Sequence, residues 1–202
     1  MRFGVGSDRR HRNLYEKIKP LENSRIINSL EKAQALIKNV PDYPKPGVIF
    51  KDITPLVANA DAFTICVDEM AKSLRGATHV AGLEARGFVF AAAIAARHNL
   101  GFVLLRKPGK LPREIHQVEY ALEYGFDSLE LHKDQLDANN KVVIVDDVLA
   151  TGGTLSAGIS LVGLTGAEIL GSVVLGEIPF LEGRKKVLSK HPKHRIDAVF
   201  QF

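Results

Sequence analysis

Tryptophan is absent and cysteine occurs once, at position 66, in a chain of 202 residues. A single cysteine excludes an intramolecular disulfide and points to a reducing compartment. Cys66 falls inside an apolar helical pattern, which favours a small buried core residue over a nucleophile. No apolar run reaches the ~20 residues that span a bilayer. The first residues also lack the apolar segment of a signal peptide. A soluble, cytoplasmic protein is therefore expected. Charge is not strongly one-sided either, with 27 Lys and Arg against 23 Asp and Glu, a formal net +4. No polybasic block is long enough to argue for nucleic acid; the RRHR cluster at 9–12 reads as part of a solvated tail. The positive balance suits either a well-solvated surface or acidic small ligands such as phosphates. His191 and His194 have metal-like spacing, but their stretch is rich in Lys and Arg and has no neighbouring thiols or carboxylates. They read as surface residues.

What the chain does contain is a regular alternation of short apolar runs and helical patterns. Residues 1–23 mix Gly, Arg and polar groups without periodicity and read as an extension, leaving 24–202 as one domain. Ile26, Leu30, Ala33, Ile37 and Val40 recur at helical spacing up to Pro41. A Pro-rich connector, 41–47, leads to the apolar run Val48, Ile49, Phe50. Phe63, Val67, Met70 and Leu74 mark a second amphipathic helix. Residues 80–83, 102–105, 142–145 and 169–175 read as buried strands, with helices over 88–98 and 154–164 and a further strand at 196–202. This order predicts an α/β fold with an open, mostly parallel sheet covered on both faces. Between Lys107 and Lys133 the pattern changes to a long flexible polar loop flanked by an antiparallel hairpin of two strand-like segments, 119–124 and 129–132. A loop of that length in a compact domain is usually functional.

The most informative segment is VVIVDDVLATGGT, at 142–154. An apolar strand ends in Asp146 and Asp147, and a turn containing Ala150, Thr151, Gly152, Gly153 and Thr154 opens a helix. Ligands of open α/β sheets bind at the carboxyl ends of strands. Two glycines let backbone N–H groups approach an anion, and a helix N-terminus favours negative charge. No Lys follows the glycines, so this is not a Walker loop, and G-x-G-x-x-G is absent too. A strand–turn–helix with two glycines also occurs as a plain tight connection. The adjacent acids favour a site, since carboxylates at a strand end are costly unless they hold a ligand or a metal.

This segment resembles the phosphoribosyl-diphosphate motif of the type I phosphoribosyltransferases. Four further segments, PDYPKPGVIFKDI at 41–53, GLEARGF at 82–88, RKPGKLP at 106–112 and LEYG at 122–125, resemble the adenine phosphoribosyltransferases of that family. The five motifs stand in the family's order, and the resemblance covers the chain from about residue 24 to residue 177. The resemblance implies purine salvage: adenine and phosphoribosyl diphosphate as small-molecule substrates, AMP and pyrophosphate as products, Mg²⁺ as cofactor, and a homodimer. It also implies a base-side hood built from the N-terminal helix.

By the same resemblance, residues 150–154 would hold the 5-phosphate and Asp146 and Asp147 the ribose diol, reaching the metal through hydroxyls or water. Glu84, Ala85, Arg86 and Gly87 would meet pyrophosphate, with a cis peptide at Glu84–Ala85. Arg106, Lys107 and Lys110 would stabilise its developing charge, on a loop that closes and excludes water. Arg86 and Lys107 would be catalytic, together with Glu123 as general acid or base on a purine nitrogen. Tyr124 would serve loop packing or ligand contact. Phe50 would stack on adenine, with Ile49 and Arg86 at the base edge and Ile178 as a pocket wall. By residue pattern alone, Arg86 equally suits a surface salt bridge, Phe50 the core, and Glu123 an ordinary strand position. Two other functions remain open: a xanthine or hypoxanthine phosphoribosyltransferase, and a nucleotide-sensing regulator without catalysis.

Overall fold

The computed structural model describes residues 29–121 and 125–202. The extension assigned to 1–23, the helix start at Ile26, and Glu123 and Tyr124 lie outside the described residues. The chain runs through α1 (Leu30–Gln34), β1 (Lys38–Pro41), β2 (Ile49–Asp52), α2 (Thr54–Val57), α3 (Ala60–Ala71), β3 (His79–Leu83), α4 (Gly87–His98) and β4 (Gly101–Leu105). It continues through β5 (Ile115–Ala121), β6 (Phe126–His132), β7 (Lys141–Leu149), α5 (Gly153–Gly163), β8 (Glu168–Glu177), a 3₁₀ turn (Pro179–Leu181), α6 (Gly183–Lys190) and β9 (Ile196–Gln201).

Five strands form a sheet in the order β4-β3-β7-β8-β9, with every neighbouring pair parallel. Residues along β7 alternate between two cores, because successive side chains point to opposite faces. Val143 and Val145 join Val80, Val173 and Leu175 beneath α3 and α4, where Cys66, Met70, Phe90 and Ile94 are buried. Val142 and Ile144 join Leu83, Leu105 and Val174 on the other face, covered by Leu155, Leu161 and Val162 of α5 and by Leu129 and Leu131 of β6. Coverage on both faces is why residues 142–145 of β7 are wholly apolar. The central strand therefore carries Asp146 and Asp147 to the middle of the sheet's carboxyl edge.

One helix is shorter than its sequence pattern. The spacing from Ile26 to Val40 predicts a helix up to Pro41, but α1 ends at Gln34 and residues 38–41 form β1. This strand pairs antiparallel with β2, Val40 opposite Phe50. Tertiary pairing overrides helical spacing here, and Pro41 could not have continued the helix. The region expected to form a hood thus combines α1, which packs on α3, with the β1–β2 hairpin. Strands β5 and β6 form the expected antiparallel hairpin, Ile115 opposite His132. Among the described residues, no helix is long and apolar enough to cross a membrane.

Candidate active site

β7 changes character at its carboxyl end. Asp147 is 4% exposed, whereas Asp146 keeps part of its surface open to the cleft. Burial raises the Asp146 carboxyl well above the usual range, and the neighbouring Asp147 charge adds to it. Burial also raises Asp147, against the opposing pull of Arg86. Arg86 Nε stands 2.7 Å from Asp147 Oδ2. That contact is a charge pair rather than an aligned hydrogen bond, and Oδ2 has no hydrogen-bond partner among the described residues.

The turn after β7 needs glycine at one position for two reasons. Gly152 has φ +78°, and a Cβ there would meet the Gly183 carbonyl oxygen at 2.4 Å. At Gly153 a Cβ would only touch the Tyr120 ring at ordinary distance, 3.4 Å. Gly153 opens α5, so the turn and the helix N-terminus face a cavity of about 70 Å³ lined by Asp146, Ala150, Thr151, Gly152, Gly153 and Thr154. Backbone N–H groups and two threonine hydroxyls around such a space suit a phosphate.

A second cavity of about 310 Å³ adjoins it, sharing Val148, Ala150 and Thr151. Ile49, Phe50, Arg86 and Ile178 all line it, so the four residues expected to contact a base come together. The Phe50 ring packs edge-on against Tyr43 and lies under the Arg86 guanidinium, 4.6 Å from ring centroid to Cζ. Arg86 also donates to the Lys51 carbonyl at 3.3 Å. Arg86 is thus paired with a buried carboxylate beside the cavity, not with a surface partner. Ile178 is held by its N–H to the Leu149 carbonyl, 3.0 Å. Phe180 and Leu181 line the same cavity, and Phe180 is 79% exposed. The sequence pattern does not single them out, because an aromatic after a strand end is ordinary.

On the other side of the acid pair, the Glu84–Ala85 peptide is cis, as the resemblance implies. A Cβ at Gly87 would stand 2.8 Å from the Val145 carbonyl and 2.9 Å from Asp146 Oδ1. Glycine is thus what lets α4 approach β7. Glu84 gathers the basic loop: Arg106 Nε at 3.1 Å, the Lys107 N–H at 2.7 Å and Lys110 Nζ at 3.8 Å. Burial alone would raise Glu84, but these hydrogen bonds and charges outweigh it and hold the carboxyl below its usual range. The Lys107 ammonium turns to the hairpin instead, pairing with Asp127 and donating to the Tyr120 hydroxyl at 2.8 Å. Burial would lower Lys107, yet these partners raise it overall. Tyr120, Asp127 and Glu130, which accepts from the Gly109 N–H at 3.0 Å, are site-side residues that strand periodicity hides.

His191 and His194 are not simply surface residues. His191 Nε2 lies 3.0 Å from Ser156 Oγ, and His194 Nε2 lies 2.7 Å from Ser172 Oγ. They fasten the segment before β9 to α5 and β8, away from the acid pair.

A parallel α/β sheet that carries an acid pair, a glycine turn at a helix N-terminus and a flanking cavity on one edge suits a phosphorylated ligand. The family model of the phosphoribosyl transferase domain matches residues 57–197. The chain is 48% identical over 157 residues to the adenine phosphoribosyltransferase of Aeromonas salmonicida, covering 77% of this chain and 87% of that protein. It is 50% identical over 155 residues to that of Rubrobacter xylanophilus, covering 76% and 84%. The crystal structure of adenine phosphoribosyltransferase from Thermoanaerobacter pseudethanolicus superposes with a TM-score of 0.80 at 46% identity, covering 86% of this chain and 100% of that one. The enzyme from Giardia lamblia, complexed with 9-deazaadenine, gives 0.81 at 36% identity, covering 87% and 99%. The chain belongs to the phosphoribosyltransferase family. Within that family it stands among the adenine phosphoribosyltransferases, enzymes of the pentosyltransferase class.

Proposed function

We propose that the chain transfers the 5-phosphoribosyl group from phosphoribosyl diphosphate to adenine, giving AMP and pyrophosphate. The observation that carries this reading is the joining of two cavities at Ala150 and Thr151. One is lined by an anion-binding turn, the other by Phe50, Arg86 and Ile178. A phosphorylated sugar on the turn would have its diol at Asp146 and Asp147 and its anomeric carbon facing the base cavity. Pyrophosphate would leave toward Arg86, Arg106 and Lys110, whose charges stabilise the departing anion. The anomeric carbon then carries positive charge and is captured by a purine nitrogen from the opposite face. Adenine would stack on Phe50, between Ile49 and Ile178. Glu123 is assigned proton transfer at the purine; Glu123→Gln is expected to cut turnover while leaving the sugar diphosphate bound, and unchanged turnover removes it from the mechanism.

Mg²⁺ is the cofactor in this reading. Two adjacent carboxylates offer the hard donors that Mg²⁺ prefers; Asp147 Oδ2 is charge-paired with Arg86, and Asp146 lines the cavity beside the turn. Among the described residues no cluster of three or more His, Cys, Asp or Glu could cage a metal, which suits an ion held largely by substrate oxygens. When bound, it would neutralise charge on the diphosphate. A cytoplasmic homodimer completes the reading; light scattering on the full chain tests its assembly.

The test of function is nucleotide formation from the sugar diphosphate with adenine, hypoxanthine, guanine and xanthine in parallel, each with and without Mg²⁺. AMP from adenine alone, lost on omitting the metal, is the expected result. Turnover with another base would overturn the pocket assignment, and silence with all four would overturn catalysis.

A further inference from the structure

Tyr120 lies where three parts of the site meet, and no role assigned above uses it. Its side chain is buried over the phosphate turn, with the ring edge beside Gly153. Its hydroxyl lies 2.8 Å from Lys107 Nζ, 3.1 Å from Asp127 Oδ2 and 3.3 Å from Thr154 Oγ1. Lys107 also pairs with Asp127, and its backbone N–H donates to Glu84. A single phenol oxygen therefore connects the turn at 150–154, the β5–β6 hairpin and the root of the basic loop.

Counting protons gives this contact a direction. A phenol and a threonine hydroxyl each carry one proton, and an ammonium only donates. Lys107 donates to the Tyr120 oxygen. The Tyr120 proton goes to the Asp127 carboxylate, the strongest acceptor in reach. Thr154 is then the donor in its contact with Tyr120. A phosphate in the turn is a stronger acceptor than a phenol and would draw the Thr154 proton to itself. Thr154 Oγ1 becomes free to accept, and the Tyr120 proton can turn to it, leaving Asp127 to Lys107 and the Ser128 N–H.

From this geometry we infer that Tyr120 is a positioning residue that passes occupancy of the 5-phosphate turn to Lys107 and the β5–β6 hairpin. It touches no reacting atom. The inference rests on the reading of residues 150–154 as the 5-phosphate site, and the experiment keeps the two apart.

Hydrogen exchange of residues 115–121 and 126–132 is followed in the full chain with and without ribose 5-phosphate, whose affinity is measured by calorimetry. In the wild-type chain the sugar phosphate is expected to slow exchange in both strands. Tyr120→Phe should bind it with nearly unchanged affinity yet lose the response in the hairpin. Turnover of that variant should fall about tenfold, the effect of one hydrogen bond. Thr154→Val breaks the same link from the other side, and at saturating ligand it should also lack the response; it carries the test if Tyr120→Phe does not fold. Equal slowing in the wild type and either variant overturns the inference and leaves the phosphate reading intact. Failure of the wild type to bind ribose 5-phosphate overturns both.

Discussion

Asp146 and Asp147 are ionisable groups placed where burial opposes their ionisation, so their positions work against stability at neutral pH. The folded state holds the Asp146 proton to a higher pH than the unfolded chain does. Between those two values the native state binds more protons, so stability falls as pH rises through that window. Asparagine does not titrate. Asp146→Asn is therefore expected to melt at a higher temperature than the wild type at neutral pH, with the gap closing as pH falls to the ordinary carboxylate range. Activity should drop by at least about a hundredfold, the lower end for losing one preorganised electrostatic group. Thermal melts across pH, beside turnover, check both halves. A variant no more stable at neutral pH would show that the acid pair is not held against its solvation.

At the scale of elements, the strand–turn–helix of β7 and α5 was fully legible, because an apolar run ending in two acids and two glycines has few other uses. The parallel sheet was legible for the same reason, as short apolar runs separated by helical patterns. Other elements were hidden by their own chemistry. Helix α6 carries Gly183, Arg184, Lys185, Lys186 and Lys190 and buries only Gly183 and Val187, so it has no apolar stripe to read. Tyr120, Asp127 and Glu130 pass for ordinary strand residues until the hairpin folds back on the phosphate turn. Yet α6 proves to be a buttress of the site. A Cβ at Gly183 would stand 2.1 Å from the Ala150 carbonyl oxygen and 3.0 Å from the Gly152 nitrogen. Arg184 anchors the helix beside it, donating to the buried Glu177 carboxylate and to the Ile196 carbonyl at 2.8 Å. Gly183→Ala must therefore displace the turn backbone, and overpacking of this kind costs about 1–3 kcal/mol. The expected result is a KM for the sugar diphosphate raised about tenfold, with a smaller change in kcat. An unchanged KM would mean that the turn adapts without loss of phosphate geometry.

Across the whole molecule, two sets of buried groups push acid stability in opposite directions. The raised aspartates favour the fold as pH falls, whereas His194, like the lowered Glu84, does the reverse. Burial, aided by the nearby His191, lowers His194 from 6.5 to about 4. Between those values the unfolded chain takes up a proton that the native chain refuses. The stability His194 contributes is present above pH 6.5 and is lost as pH falls toward 4. The ring sits at Ser172, joining the segment before β9 to β8, so its protonation would strain the sheet edge and not the catalytic edge. His194→Gln keeps a side chain able to bond Ser172 but cannot take up that proton. Urea unfolding of both chains at pH 7.5, 5.5 and 4.5 separates this contribution, since the aspartates are common to both. The stability difference, wild type minus variant, should decline steadily as pH falls. A difference independent of pH would place His194 in water in the native state and leave the acid response to the carboxylates alone.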